Sequence, residues 1–558
     1  MKRSVVSARS SIRALAVGAA VALTVSGAAS ALPGPAAAPV VTAPAGTVSG
    51  RMDGEISVFK GIPYAAPPVG INRWRPPVAA ATWTGVRKAE DFGPACVQPT
   101  PGAKSIYSSD LGATREDCLS LNIWTPSTTG KAAVIVWIHG GALVAGSSRE
   151  TLYDGAAMAG RDVVVVSINY RLGVLGFLAH PALSEESPAG VSGNYGLLDQ
   201  IEALRWVRNN ISAFGGDPDN VTIAGESAGG LSVMYLMASP LARGLFSRAI
   251  AQSAYMISTP ELKEARYGAP SAETAGSTLS RNLQAPSLRV LRATDAQQIT
   301  DAAALSGFSP FGAVDGKVLP GQLVDIFDKG EQAPVPILAG FNSGEIRSLR
   351  MLAPPVPSGG PADYERTIRA RYGDLAEAYL ALYPASDVAE SIIAATRDGL
   401  YGWTSERLVR SQTALGQPGF LYLFDHGYPA ADAAGLHGFH ASELPFMFGN
   451  LDRTPPLWPK VPDTATETAL AGAMVDYWTS FARDGQPRAE AAADWPAYGT
   501  AGGYVAFRET PVAGIDLAPG MYALHERAVC RRKAANLAWN WNVGLMSPPL
   551  GDLAAACP

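Results

Sequence analysis

Hydrophobic positions along this chain fall into two rhythms. Runs such as "AVIVWIHGG" (133–141), "DVVVVSINY" (162–170), "NVTIAGES" (220–227), "APVPILAGFN" (333–342) and "GFLYLFDHG" (419–427) are short and apolar at consecutive positions. Strands buried on both faces read that way, because neither side of the pleat meets water. Between them, "YGLLDQIEALRWVRNNISAF" (195–214) and "TALAGAMVDYWTSFARDG" (468–485) repeat apolar residues at helical spacing, and the first stops at Gly215-Gly216. Strands alternating with helices predict an α/β fold with a large, mostly parallel central sheet and helices on both faces. Segments 255–332 and 346–417, partly helical and broken by Pro and Gly, are expected to be inserted walls around a site, so that 47–558 form a single domain.

The amino terminus follows neither rhythm. Lys2, Arg3, Arg9 and Arg13 precede an apolar run from Ala14 to Ala29, and "ASA" (29–31) offers small residues to a cleaving peptidase. Residues 1–31 therefore read as a secretory signal and 32–46 as a flexible Pro/Ala-rich stretch, placing the mature protein in the periplasm or outside the cell. No later run approaches the roughly 20 apolar residues of a spanning helix, so no membrane span is expected. Removing the signal's four basic residues leaves 40 basic against 49 acidic side chains, an acidic balance that argues against nucleic-acid partners.

The four cysteines form two sequence-local couples without metal-ligand spacing. In an exported chain they predict disulfides Cys96–Cys118 and Cys530–Cys557, each closing a loop worth about 3 kcal/mol. Neither a metal nor a cofactor is expected.

The chemistry concentrates on "TIAGESAGG" (222–230), which holds a Gly-x-Ser-x-Gly centred on Ser227 at a junction of strand and helix. A nucleophile elbow requires that placement, since its tight turn tolerates only small neighbours and the helix start aims N–H groups at the reacting centre. In such folds a serine is followed in the chain by its acid and then its histidine. That order leaves His426, His437, His440 and His525 as candidate bases, with His525 read as a surface residue of a helix, and Glu345 or Asp425 as candidate acids. "IHGGALVAG" (138–146) carries a strand into Gly140-Gly141-Ala142, where backbone N–H groups can turn toward an oxyanion beside the Ala228 N–H; losing one such donor typically costs about 3 kcal/mol.

These stretches resemble the type B carboxylesterases, the cholinesterase-like α/β-hydrolases. "FGGDPDNVTIAGESAG" (214–229) agrees with that family's serine signature, and "EDCLSLNIWTP" (116–126) with its second signature except at Ser120, where Tyr or Thr is usual. "GIPYAAPPVGINRWRPP" (61–77), "NYRLGVLGFL" (169–178), "GNYGLLDQ" (193–200) and "FSRAIAQSA" (246–254) follow in family order. The resemblance implies an α/β-hydrolase fold and ester hydrolysis through an acyl-enzyme on Ser227, with no cofactor. It selects Glu345 within "GFNSGE" as the acid and His440 within "HASELPFMFG" as the base. It also implies oxyanion donors at Gly141, Ala142 and Ala228, supporting places for Ser253 and Glu226, and a structural ion pair of Arg73 with Glu116.

Departures from the family pattern shape the expected substrate. Gly344 and Ile346 flank the acid where Asp and Gly are usual, and Ala142 and Leu143 stand where a third glycine and an aromatic are usual. A Gly-Gly-Ala loop implies a roomy alcohol side. The segment between Cys96 and Cys118 has Tyr107 but no Trp, which argues against a choline ester as natural substrate. The expected partner is thus a small-molecule ester, the protein a monomer or weak homo-oligomer, and its activity is expected to fall below about pH 6 as the histidine protonates. Two alternatives share these residues: a specialised hydrolase of a multi-ester or detoxification substrate, and a non-catalytic adhesion or binding member of the fold.

Overall fold

A computed structural model describes residues 38–551 and 557. The signal segment 1–31 lies outside the described residues. From Ala38 onward the described residues pack as one compact unit.

An 11-stranded sheet organises it. In chain order its strands are β3 (Arg51–Asp53), β4 (Ile56–Pro63), β5 (Ser120–Thr125), β6 (Ala132–Ile138), β7 (Val163–Ile168), β8 (Gly216–Glu226), β9 (Arg248–Gln252), β10 (Ile337–Asn342), β11 (Gly419–Phe424), β12 (Gly503–Phe507) and β13 (Pro511–Ile515). Across the sheet they run β13-β12-β11-β10-β9-β8-β6-β7-β5-β4-β3. From β12 to β7 all pairings are parallel, and the flanking pairs are antiparallel. The five predicted strands are β6, β7, β8, β10 and β11, all in the parallel part.

Their uninterrupted apolar runs have a simple cause. Alternate residues of β6 enter opposite cores: Val134, Val136 and Ile138 join one, while Ala133, Ile135 and Trp137 join the other. Helix Tyr195–Asn210 covers the first face with Leu197, Ile201, Leu204 and Val207, and helix Ala465–Asp484 covers the second with Leu470, Met474, Trp478 and Phe481.

Two expectations need correction. Within the supposed flexible stretch 32–46, residues Val40–Ala43 form a strand, β1, paired with β2 (Gly46–Ser49). Val41 and Val48 are buried in the core, and burial of β-branched side chains outweighs the Pro/Ala bias around them. The segment 346–417 is also not all wall: helix Trp403–Ala414 lies on the sheet, with Leu408 and Val409 in the first core. The remainder matches the expected inserted helices, which form small cores of their own around Leu279, Leu291 and Ile299 and around Tyr364, Ile368 and Ile392.

Candidate active site

Strand β8 delivers Ser227 to the carboxyl edge of the sheet, where helix Ala228–Ala238 begins. Ser227 has φ 57° and ψ −119°, a conformation that L-residues rarely adopt. It is held there because its N–H donates to the Gln252 carbonyl at 2.9 Å and its own carbonyl accepts from Leu231 N at 2.9 Å. The neighbouring glycines are required by close approach: a Cβ on Gly229 would stand 2.1 Å from the Ile138 carbonyl oxygen, and one on Gly225 would stand 2.5 Å from the Gly229 carbonyl carbon.

Opposite the elbow, β6 ends in a loop whose backbone is left-handed at three successive residues, Gly141 (φ 101°), Ala142 (φ 57°) and Leu143 (φ 59°). The Gly141 carbonyl accepts from Val144 N and Ala145 N, each at 2.9 Å, and the Leu143 carbonyl accepts from Gly173 N at 2.7 Å, so the loop's carbonyls are turned into the protein. Among the described residues, no hydrogen bond within the chain uses the N–H of Gly141, Ala142 or Ala228. Three donors beside one serine, left without protein acceptors, are what an oxyanion requires.

Glu345 and His440 meet from distant parts of the chain. Glu345, fully buried at the end of β10, accepts from Asn342 N at 2.8 Å through one oxygen and lies 2.5 Å from His440 Nδ1 through the other. Gly344 explains its own departure from the family pattern. Its N–H donates to Gly438 O at 2.7 Å, and a Cβ there would come within 2.5 Å of Leu436 O, so the histidine loop crosses too closely for any side chain. Ile346 packs in the first core instead of leaving the space a glycine would.

The chain matches the carboxylesterase family over residues 37–519. It is 37% identical over 480 residues to a fumonisin B1 esterase of Sphingopyxis macrogoltabida, covering 83% of this chain and 85% of that protein. With a para-nitrobenzyl esterase of Bacillus subtilis it shares 36% over 465 residues, or 82% and 92% of the two chains. A solved PNB esterase superposes with a TM-score of 0.75 at 34% identity, covering 87% of this chain and 99% of that one. The chain belongs to the carboxylesterase family. It is an α/β-hydrolase and a carboxylic ester hydrolase.

In this carboxylesterase His440 Nε2 faces a second carboxylate, Glu226 Oε1, at 3.1 Å. That contact is not aligned as a hydrogen bond, and Glu226 Oε1 is a buried acceptor without a donor. Nor is Ser227 Oγ hydrogen-bonded to His440 among the described residues. A third acid, Glu443, accepts from Asn342 Nδ2 at 2.6 Å and from Gln252 Nε2 at 2.9 Å. The imidazole is thus surrounded by Glu226, Glu345 and Glu443. Burial lowers the His440 pKa, but Glu226 and Glu345 outweigh it and the net shift is upward; burial drives Glu226 and Glu443 up as well, toward their neutral forms.

The carboxylesterase's other candidates lie elsewhere. His426 is buried, and its Nε2 lies 2.7 Å from Glu467. The His437 side chain is 44% exposed and lies 3.0 Å from Asp432 and 3.4 Å from Asp425, and Asp425 also pairs with Arg508 at 3.1 Å, away from Ser227. His525 is not a surface residue: it is buried, its Nε2 lies 2.9 Å from the Tyr383 hydroxyl, and burial pushes its pKa down to about 4. The Ser253 N–H donates to Gly340 O at 2.8 Å, and its buried hydroxyl has no hydrogen-bond partner among the described residues. Arg73 and Glu116 pair through two 2.6 Å contacts, and both disulfides are present. Asn342 and Glu443 fall at positions of the family patterns around Glu345 and His440, but neither they nor Gln252 carry an expected role from the sequence. Glu443 stood in plain view three residues after His440, but only packing shows that its carboxylate turns back toward the imidazole.

Proposed function

We propose that Ser227, His440 and Glu345 are a catalytic triad that cleaves small-molecule carboxylic esters in two steps. The observation that carries this reading is the 2.5 Å contact of Glu345 with His440 Nδ1 beside a serine held at φ 57°. Ser227 Oγ attacks the ester carbonyl as His440 Nε2 takes its proton, and the N–H groups of Gly141, Ala142 and Ala228 receive the oxyanion. The imidazolium protonates the leaving alcohol; water, deprotonated by the same nitrogen, then frees the acid. His440 Nε2 lies 3.1 Å from Glu226 Oε1, and the proton transfer requires the imidazole to turn this nitrogen to Ser227 Oγ. Hydrolysis of an ester panel by wild type and Ser227→Ala tests the triad, and equal rates would overturn it.

The acidic limb of kcat/KM is expected above pH 6.5, the ordinary imidazole value, rather than near pH 6. The sign follows from charge: Glu226 and Glu345 favour the imidazolium, so the neutral base persists only at higher pH. Glu226→Gln removes one of these charges and should move the limb to lower pH by about one unit. A limb that stays in place in this variant would show that Glu226 does not act on His440.

The Gly140-Gly141-Ala142 loop, followed by Leu143 where an aromatic is usual, supports a roomy alcohol side. Detectable cleavage of tert-butyl acetate is expected alongside ethyl acetate; cleavage of the ethyl ester alone would refute the roomy alcohol side. A relative named for one compound, fumonisin B1, favours a second reading in which this chain is a specialised hydrolase of a multi-ester or detoxification substrate. Comparable kcat/KM across unrelated esters would exclude it. Export from the cytoplasm is part of the same proposal, supported by the two disulfides and by the basic-then-apolar order of residues 2–29.

A further inference from the structure

The segment closed by Cys96–Cys118 touches both halves of the site. Near its start, the Gln98 side chain receives the Gly146 N–H at 3.1 Å and donates to the Gly146 carbonyl at 3.2 Å, pinning the end of the loop that begins at Gly140. Near its middle, the Tyr107 hydroxyl donates to the His440 carbonyl oxygen at 3.0 Å and lies 2.7 Å from Ser348 Oγ. Ser348 closes the helical turn that Glu345 opens. One hydroxyl therefore joins the backbone carrying the base to the turn carrying the acid.

The ring is fixed as firmly as its hydroxyl. Tyr107 meets the His440 imidazole edge-on, with centroids 6.4 Å apart, and meets Trp458 at 5.8 Å; Trp458 in turn packs on Phe439, the residue before His440, at 4.8 Å. Asn342 Nδ2 holds the Phe439 carbonyl from the other side at 2.7 Å. His440 thus sits between two backbone clamps, one from β10 and one from the disulfide-closed segment.

We infer that Tyr107 is a positioning residue for ester hydrolysis, and that the Cys96–Cys118 segment registers the oxyanion loop, through Gln98, against the acid–base pair. The inference rests on the triad reading above. The two contacts have different consequences. Loosening Tyr107 lets the Glu345–His440 contact lengthen, which weakens the stabilisation of the imidazolium as well as the alignment of the base. Loosening Gln98 displaces oxyanion donors and leaves the imidazole's acidic neighbours, Glu226, Glu345 and Glu443, where they are.

The test compares Tyr107→Phe, which keeps the ring stack and deletes the hydroxyl, with Gln98→Ala, both as full chains with kcat counted per serine titrated by a sulfonyl fluoride. Tyr107→Phe is expected to lower kcat about tenfold with KM within about twofold, and to move the acidic limb to lower pH; Gln98→Ala is expected to lower kcat about tenfold with the limb unmoved. Wild-type kcat and an unmoved limb in Tyr107→Phe would overturn the inference, as would a loss that disappears once active serines are counted. Should Ser227→Ala keep full activity, the triad reading fails whatever Tyr107 does; should it be inactive while Tyr107→Phe behaves as wild type, only the positioning role fails.

Discussion

Replacing Ser227 with alanine is expected to lower kcat by roughly 10⁶ while leaving the protein folded. The size follows from what the side chain does and does not contribute. Among the described residues Ser227 Oγ makes no hydrogen bond to His440, whose two nitrogens face Glu345 and Glu226, so its loss removes no structural contact there, and alanine is smaller than serine in a turn already built for small residues. The backbone strain at φ 57° remains, because Gln252 O and Leu231 N hold the peptide groups on either side. What disappears is the atom proposed to carry the acyl group. Residual hydrolysis would come from the oxyanion donors of Gly141, Ala142 and Ala228 acting on a bound ester attacked by water. Single-turnover kinetics on an activated ester, together with a thermal melt, check this. A variant within about a hundredfold of wild type would mean that another nucleophile operates.

Glu345→Gln is expected to cost about 10⁴ in kcat despite being nearly isosteric, because it inverts the imidazole tautomer. Glu345 has one oxygen on Asn342 N at 2.8 Å and the other 2.5 Å from His440 Nδ1. A glutamine there keeps its carbonyl oxygen on the Asn342 donor and must turn its NH₂ toward Nδ1. Two donors cannot face each other, so Nδ1 becomes the acceptor and the ring proton moves to Nε2, the atom that should accept the serine proton. KM should change little, since no substrate contact is lost. Retention of kcat within about tenfold would remove Glu345 from the mechanism and turn attention to Glu226 or Glu443.

Much of the fold was readable in the chain because parallel strands covered on both faces leave an unmistakable apolar run, as in Ala133–Ile138 and Val163–Ile168. The elbow was readable for a different reason: its glycines are forced by backbone contacts that local sequence must satisfy. Other features were not. The β1 strand hid in a Pro/Ala-rich stretch because its stability comes from pairing with β2 and burial of Val41. His525 looked like a surface residue because its helix carries Arg531, Arg532 and Lys533, yet the inserted helices cover it and Tyr383 receives it.

The sequence by itself determined the layered α/β plan, the strand–serine–helix junction, the glycine loop at 140–141 and the two cysteine couples, since each depends on neighbours along the chain. Residue chemistry and order left His426, His437, His440 and His525 open as bases; resemblance chose His440. Only the tertiary structure placed Glu226, Glu345 and Glu443 around that imidazole, showed Gly344 to be the price of the crossing histidine loop, and set Tyr107 on His440 from 333 residues away. The reason is physical. A turn or a strand is a local balance of backbone sterics and burial, whereas the distance between a carboxylate and an imidazole is set by where two loops come to rest on the edge of the sheet.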